Sequence, residues 1–466
     1  MSESFRTDNS TPGRTEHDTM GEVRVPADAL YGAETQRAVE NFPISRMRFG
    51  RAFLSALGLV KFAAAQANRR IGALPLPIAG VIEKAAQEVM DGLHDAQFVV
   101  DVFQTGSGTS TNMNTNEVIA TRATALLGKP VHPNDHVNRS QSSNDVFPTA
   151  LHIAAARTAH ETLLPAMDAL RQALDAKRQQ FWGILKIGRT HLQDAVPMRL
   201  GQEFGAYARQ VELSQARIRK ALEDVYELPL GGTAVGSGLN AAPGFAQDAL
   251  VIITEQTGLP FREAHNHFEA QAARDAVVFL SGALKTYAIA LTKIANDIRW
   301  LGSGPRCGLG ELHLPEVQPG SSIMPGKVNP VIAESVLMVC AQVIGHDATI
   351  SWAAAAGAFE LNTMMPVIAY DVLDSIELLG TSSRNLAERC IAGLEANETR
   401  LRDTIEQSLA LATALTLEIG YERAAALAKV AYESGRTIRE VAREQSGIEQ
   451  HKLAELLDPM KMVGSR

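Results

Sequence analysis

Aromatic residues are scarce in this sequence: Phe, Trp and Tyr make up 5% of its 466 residues. That is thin for a β-sandwich core, whereas recurring alanine-rich runs favour close-packed helices. Cysteine is scarcer. Cys307, Cys340 and Cys390 are far apart and odd in number, which excludes a disulfide framework and a metal knuckle and fits a reducing cytoplasm. No long basic block is present and the net charge is −8, which argues against nucleic acid or anionic membranes as partners. An anionic substrate must therefore meet a locally positive pocket. No uninterrupted apolar span approaches the ~20 residues that a membrane helix needs, and residues 1–16 lack an apolar signal core, so a soluble, unexported protein is expected. No period of 20 to 50 residues repeats, which excludes a solenoid.

What is present is helical. At 50.1 kDa and 45% apolar the chain has material for two or three domains. Residues 1–15 have almost nothing to bury and are expected to fray, with structure beginning near Met20. Pro26 and Pro43 bound a short polar helix, and apolar helix patterns follow over 51–68 and 79–93. From Pro148 the helices lengthen. Leu163, Met167, Leu170 and Leu174 mark one face, with a kink expected at Pro165, and Val211, Ile218, Leu222 and Val225 mark another. A third run, 270–300, is apolar or small on nearly every side and is expected to be buried all round. At 1.5 Å per residue it is roughly 47 Å long, more than one small domain can cover, so a bundle shared between subunits is expected. A further helix passes through Val372, Ile376 and Leu379, and the character shifts to a small charged helical tail near Gly393. The expected fold is all-α, divided into 1–140, a central long-helix bundle over 141–395, and 396–466.

Against so apolar a background, four polar islands need a reason. The first, Thr105-Gly106-Ser107-Gly108-Thr109-Ser110-Thr111-Asn112-Met113-Asn114, has the backbone freedom and the helix start of an anion nest. A nucleotide loop would require a Lys-Ser/Thr pair after the glycines, and there is none. A capped helix start with spare hydroxyls is the plainer reading. The second is Ser140-Gln141-Ser142-Ser143-Asn144-Asp145, preceded by His132-Pro133-Asn134-Asp135-His136. This histidine spacing matches no zinc pattern, and a helix-capping loop accounts for it better than a metal site. The third, Gly188-Arg189-Thr190-His191-Leu192-Gln193-Asp194, sets a histidine beside a threonine and near a carboxylate. The fourth, Gly320-Ser321-Ser322-Ile323-Met324-Pro325-Gly326-Lys327-Val328-Asn329-Pro330, combines glycine freedom, two serines, an amide and one lysine. An ordinary surface turn is the competing reading; a mobile loop holding a carboxylate explains the single cation among neutral donors. Glu334 lies one turn further along the helix that Pro330 opens.

In this order and wording the four islands resemble the class II fumarase branch of the fumarase/aspartase superfamily, over about 16–465. Three details separate it from the aspartate ammonia-lyases, the alternative within that superfamily: His191 where those enzymes usually have glutamine, the run Ser-Gln-Ser-Ser-Asn-Asp-Val-Phe-Pro-Thr from Ser140, and Thr35-Gln36-Arg37-Ala38. The resemblance implies reversible anti addition of water to fumarate, giving (S)-malate in the tricarboxylic acid cycle, with no metal and no organic cofactor. It also implies a homotetramer around a twenty-helix bundle, with each active site shared by three subunits. By likeness, Ser321 is the base for the C3 proton, and His191, acting through water, is the proton donor and acceptor with Glu334 as its charged partner. Ser107, Gly108, Thr109, Ser142, Ser143, Asn144, Thr190, Ser322, Lys327, Val328 and Asn329 bind substrate. His132, Pro133, Asn134 and Asp135 resemble a secondary dicarboxylate site. His136 stands where an aspartate is usual, Glu34 where a glutamine is common, and Thr363-Met364-Met365 replaces another pattern; the last two are expected to lie away from the four islands.

Overall fold

A computed structural model describes residues 13–464 and shows 18 α-helices and a few short strands among them. Order begins earlier than Met20. Strands β1 (Gly13–Asp18) and β2 (Gly21–Pro26) form an antiparallel hairpin pairing Gly13 with Pro26 and Asp18 with Gly21. β1 carries no apolar residue that would mark it in the sequence, and β2 alternates only briefly, through Val23 and Val25. Arg14 holds the following segment instead, donating to the carbonyls of Ala29 and Tyr31 at 2.6 and 2.8 Å. The remainder of the segment expected to fray, residues 1–12, lies outside the described residues.

The helices then run α1 (Ala33–Asn41), α2 (Arg51–Arg70), α3 (Leu76–Met90), α4 (Thr109–Leu127), α5 (Ser143–Thr158), α6 (Leu164–Gln180), α7 (Leu200–Val225), α8 (Phe245–Thr257), α9 (His267–Ala272), α10 (Asp275–Leu301), α11 (Val331–Ala354) and α12 (Met365–Leu386). Between α6 and α7 stands a second hairpin, β3 (Leu185–Thr190) with β4 (Gln193–Arg199). Six shorter helices close the chain from α13 (Glu398–Gln407) to α18 (Pro459–Met462). A π-turn over Ala159–Leu163 precedes α6, so the irregularity expected at Pro165 falls just before it.

The chain divides into two compact units. One comprises residues up to Leu164 with Ala216–Thr286 and Ala341–Leu379. In it α2 packs against α3, α5 and α8, because Leu54, Leu57, Val60 and Ala64 recur at helical spacing and are all at most 3% exposed. Three of the few aromatic rings collect here: Phe53 lies 4.3 Å from Phe49 and 4.9 Å from Phe147, centroid to centroid. The other unit comprises Pro165–Gln215, Tyr287–Cys340 and Gly380–Arg466. Its tail builds a separate small core from Ile405, Leu411, Leu415, Ile438, Val441, Leu453 and Leu457, which also takes in Ile187 of β3.

The run expected to be buried all round is not. Asn266 caps the short helix α9, Ala273 is extended, and α10 begins only at Asp275. Along α10, Phe279, Ile289 and Trp300 are 45%, 55% and 60% exposed, while Leu280, Leu284 and Leu291 are buried. One chain covers one face of this helix and leaves the other bare. Helices α10 and α11 are also long and apolar enough, by composition, to cross a membrane, which corrects the expectation that no span approaches that length. Half of the α10 window is buried within the fold, and Lys285 and Lys293 ion-pair on it with Asp347 and Asp297, as suits the core helix of a soluble protein.

Candidate active site

The sequence-derived site residues fall into two groups, one in each unit. In the first unit, the islands at 105 and 140 become the starts of α4 and α5. Gly108 is left-handed at φ 75°, and a Cβ there would sit 2.0 Å from the Phe147 ring, so only glycine lets α4 begin against α5. Ser142 caps α5: its hydroxyl accepts from Asn144 N, and Asp145 accepts from Ser142 N, closing a capping box. The two starts meet. Ser107 Oγ lies 2.7 Å from Thr109 Oγ1, which lies 2.7 Å from Ser143 Oγ, so three hydroxyls form a chain between two helix N-termini. Both helix dipoles and the hydroxyls suit a bound anion. Asn144 donates to Ala234 O at 2.8 Å, which joins this cradle to the turn after Leu230.

Behind the cradle lie two buried charged groups, Asp145 and Lys61. Asp145 is fully buried and accepts from the backbone N–H groups of Ser142, Gly231 and Thr233. Burial pushes its carboxyl up to about 6, opposed by those three donors and by Lys61. Lys61 is fully buried in α2 and donates to Asn138 Oδ1 and Gln141 Oε1, each at 3.0 Å. Burial pulls its ammonium down to about 7, with Asp145 opposing. Asn138 Oδ1 also accepts from Asn112 and Asn116 of α4. Neither Lys61 nor Asp145 was picked out by the sequence as functional.

The turn at 132 is π-helical over Pro133–Val137. His132 Nδ1 accepts from Asn134 N and Asp135 N, and His136 Nδ1 accepts from His132 N. With Nδ1 used as an acceptor, the 3.4 Å approach of Asp135 Oδ2 is not a hydrogen bond. Two expectations need correction here. Glu34 is close enough to this turn for Asn134 to hydrogen-bond its carboxyl, which burial and the Glu117 carboxylate push above the usual range. Thr363-Met364-Met365 abuts the first island, with Met365 N donating to Gly106 O at 3.0 Å. Neither segment lies away from the islands; chain folding brings together positions that linear spacing cannot relate.

In the second unit, His191 and Leu192 are the two central residues of the β3–β4 turn, between the paired Thr190 and Gln193. Both have positive φ, 57° and 59°, the turn geometry that Asn-Gly usually fills. A His-Leu pair held there is strained by roughly 1 kcal/mol or more per residue, and it thrusts an exposed imidazole outward. The strands below are clamped by buried charge: Arg189 ion-pairs with the fully buried Glu311, and Lys186 lies 2.8 Å from Glu203 and 3.5 Å from Glu311.

The loop at 320 is a lobe with a clasped neck. Gly320 N donates to Lys327 O at 2.8 Å and Asn329 Nδ2 donates to Gly320 O at 2.6 Å. A Cβ on Gly320 would lie 2.5 Å from Lys327 O, so this neck requires glycine. Ser321 Oγ accepts from Ile323 N at 3.2 Å and Met324 N at 2.9 Å, two backbone dipoles that favour its alkoxide. Ser322, Lys327 and Val328 are exposed, and Asn329 keeps its second amide hydrogen free of the neck. Glu334 is exposed on the first turn of α11. Among the described residues, His191 and Glu334 do not pair with each other within the chain.

Comparison with known proteins supplies a context for these two half-sites. A family model described as "Lyase" matches residues 21–345, and one described as "Fumarase C C-terminus" matches 411–464. A protein of Mycobacterium tuberculosis named "Fumarate hydratase class II" is 56% identical over 446 residues, covering 96% of this chain and 94% of the relative. One of the same name from Neisseria meningitidis is 52% identical, covering 97% and 99%. The crystal structure of a class II fumarase from Schistosoma mansoni superposes with a TM-score of 0.94 at 40% identity, covering 97% of this chain and 99% of that one.

Proposed function

The chain belongs to the class II fumarate hydratases of the lyase family, and from that premise we propose how its residues divide the work. It interconverts fumarate and (S)-malate by addition and removal of water, a reaction that enzymes of this class perform without a metal; the relatives' names do not favour an aspartate ammonia-lyase. Removing the C3 proton of malate builds a second negative charge on the adjacent carboxylate, an aci-carboxylate. Donors must therefore concentrate on that group. In our reading Ser321 Oγ takes the proton, and its two backbone N–H donors are the observation that carries this assignment, since an unassisted serine is too weak a base. Lys327 and the free amide hydrogen of Asn329 bear the new charge, with Ser322 and the Val328 backbone beside them. Ser107, Gly108, Thr109, Ser142, Ser143 and Asn144 receive the dicarboxylate at the paired helix starts, and Thr190 completes its contacts. His191 protonates the departing hydroxyl through water, supported by Glu334.

We further propose a homotetramer whose sites each draw on three subunits. The exposed, unpaired His191 and Glu334 support this, because a donor and its carboxylate partner left apart within one chain must find each other across chains. A three-part division at 1–140, 141–395 and 396–466 and a cytoplasmic location belong to the same reading, supported by the separate core of the tail and by three free cysteines. A secondary dicarboxylate site at His132–Asp135 completes it; a ligand there competes with the His132 ring for the Asn134 and Asp135 N–H groups. The direct test follows fumarate absorbance on incubation with malate and, separately, with aspartate. Malate alone should generate fumarate; a product from aspartate and none from malate would overturn the assignment.

A further inference from the structure

The cradle in the first unit is built to hold an anion, yet Ser107, Gly108, Thr109, Ser142, Ser143 and Asn144 include no cation. Lys327 is assigned above to the carboxylate that gains charge, so the carboxylate seated in this cradle would rest on hydroxyls, an amide and two helix dipoles. The nearest candidate for a compensating charge is one layer back. Lys61 is fully buried, which costs several kcal/mol for an ammonium unless something requires it there. Its hydrogen bonds run to Asn138 and Gln141. Gln141 immediately precedes Ser142, the cap of α5. Asn138 gathers Asn112 and Asn116 from α4, one and two turns beyond Gly108 and Thr109. One ammonium thus addresses both halves of the cradle.

Its counter-charge, Asp145, acts on it without a direct ion pair. Lys61 and Asp145 make no ion pair among the described residues, and the Asp145 carboxylate is instead surrounded by the N–H groups of Ser142, Gly231 and Thr233. Those dipoles spread its negative charge towards the turn at 231–233. The hydrogen-bond partners of Lys61 itself, Asn138 Oδ1 and Gln141 Oε1, are neutral amide oxygens. The carboxylates of α3 and α4, which also pack against α2, are engaged elsewhere: Glu117 holds the backbone of Gly32, Glu34 and Thr35, Glu83 pairs with Arg69, and Glu88 with Arg122.

We propose that Lys61 is a positioning residue for dicarboxylate binding: without touching the ligand, it supplies from behind the positive charge that the Ser107–Thr109 and Ser142–Asn144 cradle lacks. This rests on the reading of that cradle as the dicarboxylate site, and it goes beyond that reading by assigning the cation.

The test is charge-graded. The full-length protein and its Lys61→Met variant are compared for KM and kcat with malate and for inhibition by succinate, a dianion, and by succinamate, its singly charged monoamide. Removing one buried charge while Asp145 stays is expected to lower stability, so circular dichroism and urea unfolding establish that Lys61→Met is folded under the assay conditions. Expected is a rise in KM and in the succinate inhibition constant on the order of tenfold, with kcat altered less and succinamate weakened by about threefold or less. Gln141→Glu, which sets a carboxylate on the ammonium and cancels its field, should give the same graded pattern if the methionine variant does not fold. Equal weakening of both inhibitors, or a fall in kcat with KM unchanged, would make Lys61 a purely structural residue and overturn the proposal. Failure of succinate to compete in the unaltered protein would instead sink the dicarboxylate reading of the cradle, so the two failures are distinguishable.

Discussion

Ser321 accepts two backbone hydrogens in a lobe otherwise open to solvent, so the effect of its removal should be chemical and not architectural. Ser321→Ala is expected to lower turnover by roughly a thousandfold or more with the oligomer intact, checked by rate and by size-exclusion chromatography; near-normal turnover removes this serine from the mechanism. Glu311 is the opposite case. Its carboxylate, with no exposure at all, faces Lys186 and holds Arg189, which stands two positions before the strained His191. Glu311→Gln leaves those cations under-compensated and should cost about 3 kcal/mol in urea unfolding. Because Arg189 anchors β3, turnover should fall with stability. An unchanged unfolding midpoint would mean that the hairpin stands without its buried charges. His152 carries a pH prediction. Burial pushes its imidazole down to about 4 from an ordinary 6.5, so the unfolded chain binds more protons between those values. Stability is then complete above about 6.5 and declines as pH falls towards 4, by up to about 3 kcal/mol. A His152→Gln variant should lose that part of the acid sensitivity; identical pH slopes in urea titrations of the two proteins would contradict it.

At the scale of elements, the meeting of α4 and α5 depends on one missing side chain. Gly108→Ala would drive a Cβ into the Phe147 ring and strain a left-handed residue, so about 3 kcal/mol or more of stability should be lost, seen as a lower Tm, with KM rising as Thr109 and Ser143 separate. A variant with unaltered Tm and KM would show that the two helix starts are not coupled. The same contrast explains what the sequence reveals. Caps announce themselves: Gly108 and Ser142 with Asp145 mark helix starts through local chemistry, and Val331 follows Pro330 as expected. The hairpins do not. β1 has no apolar residue and β2 only the pair Val23 and Val25, and the β3–β4 turn holds His-Leu where Asn-Gly would have declared it. Lys61 is equally silent, because a lysine in an alanine-rich helix reads as a solvated position, and only packing reveals that it is buried beside Asn138. Glu34 and Thr363 sit near islands far from them in the chain, a relation that no spacing encodes.

For the whole molecule, the uncovered helical faces are the governing fact. Phe279, Ile289 and Trp300 on α10, with Met338, Ile344 and Trp352 on α11, are large apolar side chains left between 41% and 82% exposed, the kind of face that marks an interaction surface. Burying such faces at about 25 cal/mol per Å² would favour association, in keeping with the tetramer proposed above, in which His191 of one protomer serves the loop of another. This sharing has an arithmetic consequence. Ser321→Ala and His191→Asn protomers, each inactive by itself, should regain activity when unfolded together and refolded as hybrids. If serine and histidine come from different chains, random assembly of equal amounts gives both intact residues in about a quarter of the sites, since each contributor is the suitable variant half the time. Activity measured against a refolded unaltered control should approach that fraction. If both residues of a site come from one chain, every site in every hybrid lacks one of them, and the mixture stays as inactive as its parts.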